Sequence, residues 1–143
     1  MSEEKVLLVD DEQEFLKALS QRMQAKGLEI TPATSGEEAI EAVKDEFFDA
    51  VVLDMMMPNL DGIETLKKIK EVNPDVQVIL LTGHATVDKG IEAMKLGAMD
   101  FLEKPAEINS LLEKIKMAKV NKMLILEKKT EEQIKDILSE KGW

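Results

Sequence analysis

Three aspartates, a threonine and a lysine carry most of the chemistry this sequence can offer. Asp10 and Asp11 follow the apolar run Val6-Leu7-Leu8-Val9, and Asp54 ends the run Val51-Val52-Leu53. Thr82 follows Val78-Ile79-Leu80-Leu81, and Lys104 stands just beyond Met99-Asp100-Phe101-Leu102. These residues are distant in sequence, yet each sits at the end of a short strand-like run. A continuous apolar run bounded by turn residues suits a strand buried on both faces of a parallel sheet. Open α/β sheets bind ligands at the carboxyl ends of their strands. Carboxylates brought together there repel one another unless a cation sits among them. Hard oxygen ligands in small number, with water completing the shell, suit Mg²⁺. The Lys104 ammonium suits a phosphoryl group, and Thr82 brings a hydroxyl donor. A carboxylate nucleophile, a divalent metal and a lysine together point to phosphoryl transfer onto aspartate. Asp54 could instead cap the following helix, but Asp61, beside Gly62, is better placed for that.

The elements that must position these groups follow from periodicity. Phe15, Leu16, Leu19 and Met23 recur at helical spacing over 14–26, and Gly27 closes that helix. Residues 28–31 read as a weak second strand with Pro32 at its edge or end. Ser35 is the N-cap of a helix whose inner face is Ala39, Ile40 and Val43. Ile63, Leu66, Ile69 and Val72 form the next helix, which Asn73-Pro74 stops. Residues 76–81 are the fourth strand, followed by a helix carrying Val87, Ile91 and Met94 and closed by Gly97. Residues 98–102 are a short fifth strand, and a last helix starts near Glu107 and uses Ile108, Leu111, Leu112 and Ile115. Five strands alternating with five helices predict an α/β fold: a doubly wound parallel sheet with helices on both faces. No Gly-x-Gly-x-x-Gly or P-loop follows the first strand, which argues against nucleotide binding.

Composition narrows the function classes. The chain has 143 residues, 44% apolar and 34% charged, enough for one compact domain and an appendage. The absence of cysteine excludes disulfides, thiolate metal sites and cysteine nucleophiles. A net charge of −10, with Arg22 the only arginine, argues against a nucleic-acid surface. No apolar run reaches membrane-spanning length, and the acidic start Met1-Ser2-Glu3-Glu4 is unlike a secretion signal, so a cytoplasmic protein is expected.

Residues 5 to about 120 resemble the receiver domain of two-component response regulators. The resemblance rests on Leu7-Leu8-Val9-Asp10-Asp11, on Asp54-Met55-Met56-Met57-Pro58-Asn59-Leu60-Asp61-Gly62, on Leu81-Thr82-Gly83 and on Asp100-Phe101-Leu102-Glu103-Lys104-Pro105. It implies a flavodoxin-like sheet of strand order 2-1-3-4-5. It makes Asp54 the phosphoacceptor and Asp11 a direct Mg²⁺ ligand, with Asp10 acting through the metal's water and Met56 offering its backbone carbonyl. Lys104 would pair with the phosphoryl group, Thr82 would reorient toward it, and Phe101 would be the aromatic switch. The Lys104–Pro105 bond is expected to be cis. Met56 and His84 occupy positions that tune phosphoryl lifetime in similar proteins, although His84 reads most simply as an exposed loop residue. The implied partner is a sensor histidine kinase or a phosphotransfer protein. The chain would catalyse only its own phosphotransfer and autodephosphorylation.

The resemblance divides the chain into a receiver, residues 1–120, and a helical extension, 121–143, without an output domain. An extended C-terminal helix is expected from Glu107 to about Lys129. Met117, Val120, Leu124, Ile134 and Leu138 share one heptad seam, which Glu127 and Glu131 interrupt. Thr130-Glu131-Glu132-Gln133 fits a capping box and predicts a restart of the helix there. The lysines between Glu113 and Lys129 read as a solvated face. The apolar residues beyond Met117 call for a cover, most simply a second copy of the chain. Three readings compete: a stand-alone phosphorylation-switched receiver, the receiver part of a larger transcriptional activator, and an independent Asp-dependent phosphatase. The last lacks the Asp-x-Asp it would need at Asp54-Met55-Met56.

Overall fold

The computed structural model describes residues 4–55, 62–83, 87–104 and 107–140. In chain order the elements are β1 (Lys5–Val9), α1 (Gln13–Ala25), β2 (Glu29–Ala33), α2 (Gly36–Asp45) and β3 (Ala50–Asp54). They continue with α3 (Gly62–Val72), β4 (Val78–Thr82), α4 (Val87–Lys95), β5 (Asp100–Glu103) and α5 (Ile108–Glu140). All neighbouring strands pair in parallel, in the order β2-β1-β3-β4-β5. The expected doubly wound sheet is therefore the observed one.

Alternation along the strands divides the core in two. Leu7, Val9, Val51, Leu53, Val78 and Leu80 face Ala39, Val43, Leu66, Ile69 and Ala93 of α2, α3 and α4. Val6, Leu8, Val52, Ile79 and Leu81 face Leu16, Leu19 and Met23 of α1 and Leu111, Ile115 and Ala118 of α5. With apolar demand on both faces, β1, β3 and β4 need unbroken apolar runs, as their sequences have. Pro32 lies inside β2 rather than ending it, paired with Leu8. Because β2 is an edge strand, the missing proline N–H removes no ladder bond there.

Local signals set the helix ends. Ser35 caps α2 by accepting from the Glu38 N–H, while Glu38 reaches back to the Thr34 N–H. Gly27 (φ 92°) and Gly97 (φ 101°) take the left-handed conformation just beyond α1 and α4.

Three further expectations need correction. In α4, Ile91 and Met94 are exposed, and the small residues Gly90 and Ala93 turn inward. The helix packs closely through its small residues, leaving its large ones outside. The second correction concerns α5, which runs unbroken for 33 residues, about 50 Å. It does not restart at Thr130, whose hydroxyl donates to the Leu126 carbonyl at 3.0 Å within the same helix.

The lysines of α5 are also more than a solvated face. Lys114 pairs with Asp100 and Lys129 with Asp75. Lys122 donates to the Phe48 carbonyl at 3.3 Å and lies 3.7 Å from Asp49. These contacts tie the extended helix to the start of β5 and to the loops before β3 and β4. Met117, Val120, Met123, Leu124, Ile134 and Ile137 remain exposed. Among the described residues, no helix is long and apolar enough to cross a membrane.

Candidate functional site

The parallel register brings the chemically able residues to one edge. Val9 lies beside Leu53, Asp54 beside Leu81, and Thr82 beside Glu103. Asp10 therefore emerges next to Asp54, and Lys104 one residue beyond the partner of Thr82. The strand ends are pinned by backbone bonds: Asp10 N–H to Ala33 (3.1 Å), Met55 N–H to Leu81 (2.9 Å) and Lys104 N–H to Thr82 (2.7 Å).

Asp10 and Asp54 are almost wholly buried, at 1% and 4% exposure, while Asp11 is half-buried. One carboxylate oxygen from each of the three lies within 4.8 Å of the others. The Lys104 ammonium reaches into this cluster, 2.8 Å from Asp10 Oδ2 and 3.5 Å from Asp54 Oδ2. The other Asp10 oxygen accepts from the Glu12 N–H at 2.9 Å. Asp10 is thus held from two sides, while Asp11 lies nearer the solvent. Burial pulls the Lys104 pKa down, but the Asp10 hydrogen bond and the charges of Asp54, Asp10 and Glu12 outweigh it, and the net shift is upward from 10.5. Lys104 is consequently a fixed positive charge at neutral pH.

Two supporting residues were not singled out by sequence reasoning. The ring of Phe15 on α1 lies 4.3 Å from the Lys104 ammonium, a cation–π contact that orients it. Helical spacing marked Phe15 only as a core residue, and no local signal links it to Lys104. Gly62 opens α3 directly against the end of β3, its N–H donating to the Met55 carbonyl at 2.8 Å. A Cβ on Gly62 would lie 2.4 Å from the Met55 Cα and 3.0 Å from the Asp54 carbonyl oxygen. The Asp-Gly pair signalled a turn; the tight backing of Asp54 is what requires the glycine.

Thr82 ends β4 and is buried, whereas Phe101 on β5 is 36% exposed. Phe101 pairs with Leu80, two residues before Thr82, so Phe101 and Thr82 share one face of the sheet. Met56, His84 and Pro105 lie outside the described residues, and with them the expected carbonyl ligand, both expected tuning positions and the expected cis bond.

A profile of the response regulator receiver domain matches residues 6–116. The chain belongs to the response regulator receiver family. This receiver is 39% identical over 106 residues to the transcriptional regulatory protein ZraR of Klebsiella oxytoca, a match that takes in 74% of this chain and 24% of ZraR. The receiver thus spans about a quarter of that curated relative. A response regulator receiver domain from Clostridium thermocellum superposes with a TM-score of 0.81 at 35% identity, covering 85% of this chain and 98% of that one. The beryllofluoride-activated NtrC4 receiver domain dimer gives 0.77 at 40% identity, covering 82% and 98%.

The donor set fits the metal that receivers generally use. Three carboxylates supply hard oxygen ligands at one rim, two of them buried and one facing solvent, which leaves room for water. The lysine beside them counters charge without filling the rim.

Proposed function

We propose that this receiver is a phosphorylation-activated switch whose phosphoacceptor is Asp54. The observation that carries the reading is a buried Asp54 placed within 4.8 Å of two further carboxylates and 3.5 Å from a lysine that stays charged. Asp11 and Asp54 would hold Mg²⁺ directly, Asp10 would act through its water, and the backbone carbonyl of Met56 would be the remaining protein ligand. The chemistry such an ion would supply is to offset the charge of the incoming phosphoryl group. An Asp54 oxygen attacks phosphorus, the bond to the donor histidine nitrogen breaks, and that nitrogen leaves with the electron pair. Lys104 exchanges part of its contact with Asp54 for a phosphoryl oxygen, held on line by the Phe15 ring. Thr82 turns its hydroxyl toward the new group, and Phe101 follows into the space it vacates.

The donor is a sensor histidine kinase or phosphotransfer protein in the cytoplasm. The chain catalyses only its own phosphotransfer and autodephosphorylation. Residues 1–120 act as the receiver and 121–143 as a helical extension. Exposed Met117, Val120 and Leu124 on α5 support pairing with a second copy. Sedimentation of the full chain and of a version ending at Lys119 tests that pairing, and two monomers at micromolar concentration would refute it.

The central test is incubation with Mg²⁺ and a small phosphoryl donor, followed by intact mass. Wild type should gain one phosphoryl group, only with the divalent cation, and Asp54→Asn should gain none. Phosphorylation of Asp54→Asn at the wild-type rate would sink the assignment. A second reading is that these residues are the receiver of a larger transcriptional activator. It is favoured by the match to ZraR, which covers only 24% of that regulator. The reading frame beyond Trp143 decides it.

A further inference from the structure

Gly90 occupies the inner side of α4, within a helix that would be better served by alanine. What the glycine accommodates is the Phe101 ring. A Cβ at position 90 would lie 3.2 Å from both Cε1 and Cζ of Phe101 and 3.6 Å from Cδ1. The ring edge therefore rests on the bare Cα of Gly90. In this position the ring is 36% exposed and lies on the same sheet face as Thr82.

We propose that Gly90 is a positioning residue for the switch: it is the seat that holds the Phe101 ring in its outward position. This rests on Phe101 being the switch residue of the proposed function. The physical argument is one of space. The seat fits the ring as it lies only while position 90 lacks a side chain: a methyl group would stand 3.2 Å from two ring atoms at once, and the ring would have to give by a few tenths of an ångström. The ring is partly exposed and has only its own side-chain torsions to turn, so it yields before the backbone of α4 does. Displacing it from the seat raises the free energy of the outward state and leaves the inward state untouched. A two-state equilibrium then shifts inward without any phosphoryl group. The glycine thus keeps the receiver off until it is phosphorylated, at the expense of helix propensity in α4.

The test uses the full chain with isotope-labelled phenylalanine, following the Phe101 ring signal by NMR with and without Mg²⁺ plus beryllofluoride. In wild type the signal should move on adding the phosphoryl mimic. In unmodified Gly90→Ala it should already lie part of the way along that shift, and phosphorylation by a small donor should be severalfold faster. Combining Gly90→Ala with Phe101→Ala should erase the rate gain, because a gain that arises only from a stiffer α4 would survive the loss of the ring. Gly90→Ser repeats the measurement should Gly90→Ala fold poorly. If wild type responds to the mimic but the Gly90→Ala signal stays at the unmodified position, the seat is refuted and the switch stands. If the wild-type ring does not respond at all, the switch reading fails and takes the seat with it. A rate gain that persists in the double variant also overturns the proposal.

Discussion

Replacing Asp11 by asparagine should stabilise the metal-free receiver while removing its response to Mg²⁺. The Asp11 carboxylate lies within 4.8 Å of those of Asp10 and Asp54, whereas Lys104 pairs with Asp10 and Asp54. At 4.8 Å, two like charges repel by about 1 kcal/mol in a water-like dielectric and about 3.5 kcal/mol at an effective value near 20. Asp11 is half-buried, so the lower figure governs each of its two pairs. Its lost attraction to Lys104 returns part of the gain, leaving a net stabilisation of about 1–2 kcal/mol. For a domain of this size that is a rise in Tm of about 3–8 °C. The assay is thermal unfolding in EDTA, repeated at saturating Mg²⁺. Wild type should gain about 2.7 kcal/mol when the ion is at a hundred times its Kd, and Asp11→Asn far less. A variant that melts below wild type in EDTA would show that repulsion does not dominate the cluster. A variant that keeps the full Mg²⁺ shift would remove Asp11 from the ligand set.

Three further perturbations probe the supports of the site. Gly62→Ala forces its Cβ onto the backbone of residues 54–55, so it should cost about 1–3 kcal/mol and lower phosphorylation with it; denaturant unfolding and intact mass would both have to be unchanged to refute the close approach. Phe15→Leu keeps the apolar packing but removes a ring contact of about 1 kcal/mol, so phosphotransfer should slow by up to about fivefold and recover in Phe15→Tyr. The Lys104 pKa is raised from 10.5, so its stabilisation is complete below that pH and is lost as pH rises through the higher folded value. The stability difference between wild type and Lys104→Met should accordingly be flat from about pH 7 to 10 and narrow only above that range, as urea titrations at each pH would show.

The parts of the molecule that were legible in the sequence are those in which one constraint dominates. Residues 6–9, 51–53 and 78–81 must be apolar on both faces, and such a run reads the same way whatever packs against it. The residue that ends the run is then placed at the sheet edge by topology, which is why Asp10, Asp54 and Thr82 could be brought together before any contact was known. α4 was misjudged because hydrophobicity and closeness of approach conflict there. Ile91 and Met94 are the larger apolar groups, yet Gly90 and Ala93 let the helix lie near the sheet. A periodicity argument weights size, and a close-packed helix rewards its absence. The tail was misjudged for a different reason. Thr130-Glu131-Glu132-Gln133 satisfies the pattern of a cap, but a cap is useful only where backbone N–H groups are orphaned, and a helix that is never interrupted has none to offer. Its lysines looked solvated because their carboxylates lie outside the helix, 14 residues away for Lys114 and Asp100 and 54 for Lys129 and Asp75.

Those distant contacts bear on how a signal could leave the site. α5 begins four residues after Lys104, contributes Leu111, Ile115 and Ala118 to the core, and then continues past the opposite edge of the sheet. Lys122 and Lys129 hold that continuation to Asp49 and Asp75, on the loops before β3 and β4. β3 and β4 are also the strands whose other ends carry Asp54 and Thr82. The helix therefore leaves the domain in a direction set by the same two strands that carry the reactive end. Surface pairs of this kind contribute little stability singly, and their consequence is geometric: they fix where the exposed apolar stripe of α5 points. A partner that covers Met117, Val120 and Leu124 thereby meets a surface oriented by the strands that carry Asp54 and Thr82 rather than a free-swinging helix.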